Sequence, residues 1–159
     1  MLIQAEADRL ITLPKRRSND KRIDFPVARS SIVVELESVD GREEFLLDVN
    51  RKGRTIRVAK CTYQTRYMVT VVLVRLDLDG PPHRNPPGPA PLPHLTAFEA
   101  IELPCPHLHV YVEDHDVHWA MPAPIHAFSL TGDLHDTLQD FYRYCNVIDP
   151  PYIDKRLIT

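Results

Sequence analysis

Two histidines one residue apart, His107 and His109, sit in the apolar run Pro106 to Val112, and all eight histidines of the chain lie after position 82. A strand sends alternate side chains to opposite faces, so an extended run here puts His107, His109 and Tyr111 on one face and Leu108, Val110 and Val112 on the other. Such a strand holds the two histidine Cα atoms about 6 to 7 Å apart, and both rings can converge on one ligand. Histidine titrates near neutral pH without help, and RNA cleavage needs proton transfers plus charge stabilisation at the scissile phosphate. The leading expectation is therefore a ribonuclease-like site. One of His107 and His109 takes the proton of the ribose 2′-hydroxyl; the other, or His83, protonates the leaving oxygen. The catalytic set is His83, His107, His109 and Tyr111. Arg75, Arg84 and Asn85 form the substrate-binding set, in which the guanidinium groups stabilise the phosphate charge. This chemistry calls for no metal and no cofactor.

Other readings of the same residues stay open. His-x-His on a strand also supplies two neighbouring metal ligands, with a third from His118, His83 or Asp77, which would make a metal-dependent hydrolase. A half-exposed strand face tolerates histidine and tyrosine with no chemistry at all. The loop Gly80 to Pro86 packs a histidine, an arginine and an amide into a proline-stiffened turn, as a substrate-positioning loop would. Prolines equally make interaction surfaces, so a non-catalytic protein that inhibits or neutralises a protein partner is the competing class. The single tryptophan, Trp119, is expected as a core anchor. His94, His115, His126 and His135 are expected in solvent, and no Cys-His-Asp arrangement is legible around Cys105.

The elements that must position these groups follow from periodicity. Ile3, Ala7, Leu10 and Ile11 have helical spacing closed by Pro14, and Lys15 to Arg22 follows as a polar, basic connection. From Ser30 the period becomes two: Ile32, Val34 and Leu36 alternate with polar residues, Asp40-Gly41 turns the chain, and Phe45, Leu47 and Val49 return. Arg54 to Cys61 and Met68 to Leu76 complete a four-strand meander, the last apolar on both faces. Residues 80–104 hold a proline-rich loop or insertion that cannot be a regular central strand. A second hairpin spans His107 to Met121. Leu134, Leu138, Phe141 and Cys145 mark a closing helix, with Asp133 or Thr131 as its cap and Asn146 at its end. The expectation is one α+β domain over residues 1–159, an antiparallel β-meander of about six strands with a helix at each end.

Composition sets the frame. At 159 residues and 43% hydrophobic, the chain can bury a core without disulfides. Its three cysteines, Cys61, Cys105 and Cys145, are odd in number and widely spaced, which points to reduced thiols and the cytoplasm. The acidic N-terminus is unlike a signal peptide, and no run reaches membrane-spanning length, so no membrane partner is expected. Net charge is −3, yet residues 1–82 hold 15 Lys and Arg against 12 Asp and Glu, and residues 83–159 hold 4 against 10. That asymmetry could present a polyanion such as RNA to the histidine half, although differently solvated faces produce the same pattern.

Several segments together carry a family resemblance: Phe45 to Arg51, Tyr63 to Arg66, Leu73 to Pro86, Pro104 to Tyr111 and Phe141 to Asn146. In them the chain resembles a family of uncharacterised small proteins from bacteria and their phages or mobile elements. The family pattern is shorter between Asn85 and Cys105, so residues near Pro89 to Ala100 read as an insertion, which argues against a role for His94. The resemblance implies a small cytoplasmic protein of mobile-element context and brings no established activity. By analogy such proteins include toxins, antitoxins and phage inhibitors of host defence.

Overall fold

The alternating segments pair into one twisted sheet, and the computed structural model describes residues 1–53, 60–130 and 132–155. Helix α1 (Gln4–Thr12) leads to β1 (Lys15–Arg17), β2 (Arg22–Asp24), β3 (Ser31–Ser38), β4 (Glu44–Asn50), β5 (Thr62–Tyr67) and β6 (Val71–Asp77). The excursion that follows contains β7 (His83–Arg84), a 3-10 helix (Pro93–Phe98) and β8 (Glu102–Leu103). Strands β9 (His107–Val110) and β10 (Ala120–Pro122) return to the sheet, and α2 (Leu134–Tyr144), β11 (Val147–Asp149) and β12 (Tyr152–Asp154) close the chain. The eight-stranded sheet runs β10-β9-β6-β5-β4-β3-β1-β11, and its pairs are antiparallel except β1 with β11.

The class is thus α+β with a large, mostly antiparallel sheet, wider than the six strands expected. The extra width comes from short strands without a readable period. Lys15–Arg17 has no apolar alternation, yet it pairs with β3 on one side and β11 on the other. The expected strand over Arg54 to Cys61 lies largely outside the described residues, as does Thr131. Among the described residues no helix is long and apolar enough to cross a membrane.

Alternation gives the sheet two unlike faces. Leu47 and Val49 of β4, Tyr63 of β5, Val74 and Leu76 of β6 and Leu108 of β9 are fully buried on one face. Against them α2 sets Leu138 and Phe141, with the Phe141 and Tyr63 rings 5.7 Å apart. Asp133 caps α2 by accepting from the Asp136 amide, and Asn146 stands just past its end at φ 54, the left-handed conformation its residue type tolerates. The opposite face carries Asp48, Asn50, Thr62, Gln64, Arg75, Asp77, His107 and His109 in register across β4, β5, β6 and β9. It is polar where the first is apolar.

Lys15, read as part of a basic connection, is fully buried. Its ammonium donates to the Ile11, Leu13 and Cys145 carbonyls, each at 2.9 Å, and so satisfies carbonyls at the ends of both helices at once. It also lies 4.9 Å from the centre of the Phe45 ring. His135, expected in solvent, is half-buried instead: its Nε2 bonds the Ile153 carbonyl at 3.0 Å and its ring packs edge-on against Phe25.

Burial lowers the Lys15 ammonium to about 8 from its ordinary 10.5. Between those values the unfolded chain holds a proton that the folded chain has lost, so stability rises with pH through that window. Urea unfolding at a series of pH values should show the wild type gaining on Lys15→Met as pH climbs from about 8 to about 10.5. Parallel stability curves would contradict a buried, weakened ammonium.

Candidate functional site

The polar face gathers its chemistry where β6 meets β9. Their register sets Asp77 opposite His107 and Arg75 opposite His109, and on the far side of β6 Thr62 stands opposite Asp77. Cross-strand partners share a face, so the carboxylate and both imidazoles must project together. One carboxylate oxygen, Asp77 Oδ2, lies 3.4 Å from His107 Nε2 and 3.5 Å from His109 Nε2. The other, Oδ1, accepts from the Thr62 hydroxyl at 2.6 Å, and Arg75 Nε lies 3.1 Å from Oδ1 and 3.0 Å from Oδ2.

Each imidazole is fixed from behind by the backbone. His109 Nδ1 is 2.8 Å from the Val117 carbonyl, and His107 Nδ1 is 3.3 Å from the Pro104 carbonyl. A carbonyl oxygen only accepts, so both Nδ1 atoms carry their protons and both Nε2 atoms turn to Asp77. The cluster is well shielded: His107 and His109 are 2% and 5% exposed. Burial alone would raise the Asp77 carboxyl. The contacts with His107 and His109, the Arg75 charge and the Thr62 hydroxyl more than offset it and hold the group ionised, well below the ordinary carboxylate range.

His83 arrives from the excursion after β6. Strands β7 and β8 pair at its neck, with His83 opposite Leu103, and the His83 Nε2 bonds the His118 carbonyl at 3.0 Å. That bond sets the ring 4.7 Å from His109 and 5.9 Å from His107, centre to centre. Burial first, then the neighbouring charge of His109, lowers the His83 imidazole below its ordinary value. His83 is half-exposed and closes one wall of a cleft of about 470 Å³, whose rim also carries Lys52, Lys60 and Arg75.

The structure therefore brings together four residues of the expected set: His83, His107, His109 and Arg75. Asp77, which the sequence offered only as one of three choices of metal ligand, is the centre of the cluster. Three residues of the expected set stand elsewhere. Tyr111 lies beyond the end of β9, where its hydroxyl donates to the Leu2 carbonyl at 3.0 Å and accepts from the Leu2 amide at 3.1 Å, tying α1 to the sheet. Asn85 is buried, and its side chain pairs with the Ala120 amide and carbonyl, both at 2.8 Å, and with the Phe98 carbonyl at 3.1 Å. Arg84 is exposed and donates to the Ala100 carbonyl at 2.9 Å. Trp119 anchors a small satellite core with Leu95 and Val112, which seats the excursion on the sheet.

Fold and site together define an α+β protein with a mostly antiparallel eight-stranded sheet, whose polar face holds a buried carboxylate between two imidazoles. The chain belongs to the DUF6978 family, a family of unknown function, whose profile matches residues 2–147. Neither the comparison with curated proteins nor that with solved structures gave a match.

The backbone bonds of Asn85 make it a positioning residue for the loop that bears His83. Asn85→Ala leaves a buried amide and carbonyl of Ala120 without partners and should cost about 3 kcal/mol of unfolding free energy. Arg84→Ala, at an exposed site, should stay within about 0.5 kcal/mol of wild type. Equal effects in urea titrations would contradict these assignments.

Proposed function

We propose that the protein is a small ribonuclease-like enzyme that cleaves RNA at the Asp77, His83, His107 and His109 cleft. The observation that carries this reading is the convergence of three imidazoles and an ionised carboxylate in one cleft rimmed by Lys52, Lys60 and Arg75. Cations at the rim suit a polyanionic substrate, and the groups within suit proton transfer. In the reaction the 2′-oxygen bonds to phosphorus as the bond from phosphorus to the 5′-oxygen breaks. The 2′-hydroxyl proton passes to the buried cluster. His83, which alone of the three histidines is half-exposed, delivers a proton to the leaving 5′-oxygen. Arg75, held against Asp77, faces the phosphate charge.

The roles differ from a simple pair of strand histidines straddling a phosphate. Both strand rings present Nε2 to Asp77, so they act as one charged unit with it. The resemblance to mobile-element and phage proteins supports reading this activity as that of a toxin, with RNA as substrate and a neutralising protein as its natural partner.

End-labelled RNA incubated with the protein should be cleaved, and His83→Ala should slow cleavage by about a hundredfold or more while leaving the fold intact. Lys52→Ala/Lys60→Ala should raise KM with kcat little changed, because those side chains reach the substrate only at the rim. A folded wild-type sample that cleaves none of a panel of single-stranded and structured RNAs would overturn the reading.

A further inference from the structure

We propose that Asp77, His107 and His109 form a binding site for one divalent transition-metal ion, zinc first among them. The carboxylate oxygen and the two imidazole nitrogens all lie within 4.8 Å of one another. Their spacing is the first argument. A charge-assisted hydrogen bond from imidazolium to carboxylate runs about 2.7 to 2.9 Å, shorter than the 3.4 and 3.5 Å seen here. Zinc binds such nitrogen and oxygen donors at about 2.0 to 2.1 Å, so two ligands at the corners of a tetrahedron stand about 3.3 to 3.4 Å apart. An octahedral ion at similar bond lengths would draw neighbouring donors to about 3.0 Å. The two nitrogen-to-oxygen separations, 3.4 and 3.5 Å, match the edge of the tetrahedron.

The second argument is protonation. The Val117 and Pro104 carbonyls hold the protons of His109 and His107 on Nδ1. Without a second proton each ring turns its Nε2 lone pair toward Asp77 Oδ2, and lone pairs facing a carboxylate repel unless positive charge, a proton or a cation, stands between them. A cation among the three atoms turns that conflict into ligation. The same backbone carbonyls are the outer partners that metal-bound histidines require, and Thr62 and Arg75 fix the carboxylate in the same way.

The donor set also says what kind of site this is. Cys105 Sγ lies 3.7 Å from His107 Nδ1, behind the ring and away from Nε2, so no thiolate completes the set. Three protein ligands leave a fourth position open, and the His83 ring lines the same cleft, 4.7 Å from that of His109. That is the arrangement of a catalytic rather than a structural zinc, in which a bound water ionises near neutral pH. The catalytic part of this inference rests on the RNA-cleaving reading; the binding site itself does not.

The test uses the full chain purified without a polyhistidine tag, stripped by chelator and then titrated with zinc and with cobalt. One ion per chain should bind, with the intense visible absorption of tetrahedral cobalt and a raised Tm on zinc addition. His107→Ala/His109→Ala, and separately the near-isosteric Asp77→Asn, should weaken binding at least tenfold, while His126→Ala binds as wild type does. Absence of stoichiometric binding to folded wild type would overturn the site, as would unchanged binding in the double variant. Zinc binding without RNA cleavage would keep the site and remove the ribonuclease reading. Cleavage at full rate by protein shown to be metal-free would remove the metal's role in the reaction and keep that reading.

Discussion

The pairing of β6 with β9 is the constraint on which the site depends. It sets Asp77 against His107 and Arg75 against His109 across one antiparallel ladder. Strand side chains alternate with a period of two, so a slip of one residue in β9 would send both imidazoles to the core face and bring Leu108 and Val110 to the carboxylate. The core face enforces the register from behind. Leu76 and Leu108 stand opposite each other there, fully buried, and a one-residue slip would expose one apolar row and bury a polar one. The hydrophobic packing under α2 and the polar cluster on the other face are thus two consequences of one alignment.

Around that alignment the chain spends backbone groups to fix side chains. Val117, Pro104 and His118 each give a carbonyl to one histidine of the cluster, and all three belong to irregular segments around β9 and β10. The proline-rich excursion contributes in the same manner. Its neck is closed by the β7–β8 pair, Asn85 stitches it to Ala120, and Leu95 seats it against Trp119 in the satellite core.

 Leu95 packs directly on Trp119 and Val112 there, so the excursion is held at its neck and again at its far end.

Much of this was legible in the residues. The alternation around His107 and His109 announces a strand with both rings on one face, and the proline loop after β6 announces that His83 comes from a separate segment. The central place of Asp77 was not legible, because it depends on pairing between strands about thirty residues apart in the chain, which no local pattern encodes. Tyr111 continues the alternation of His107 and His109 in the sequence, but β9 ends at Val110 and the backbone of Leu2, just before α1, takes the hydroxyl. Lys15 reads as a solvated charge, and only the meeting of two helix ends explains its burial. Asn85 in a polar loop looks like a ligand-binding amide, yet the buried backbone of Ala120 claims it.

X-ray absorption at the zinc edge of the zinc-loaded, untagged protein tests the central claim most directly, because it reads the ligands themselves. The account predicts a first shell of nitrogen and oxygen at about 2.0 to 2.1 Å, with the outer scattering of two imidazoles and no sulfur. A shell containing sulfur, or one without imidazole scattering, would contradict the convergence of Asp77, His107 and His109 on a single ion.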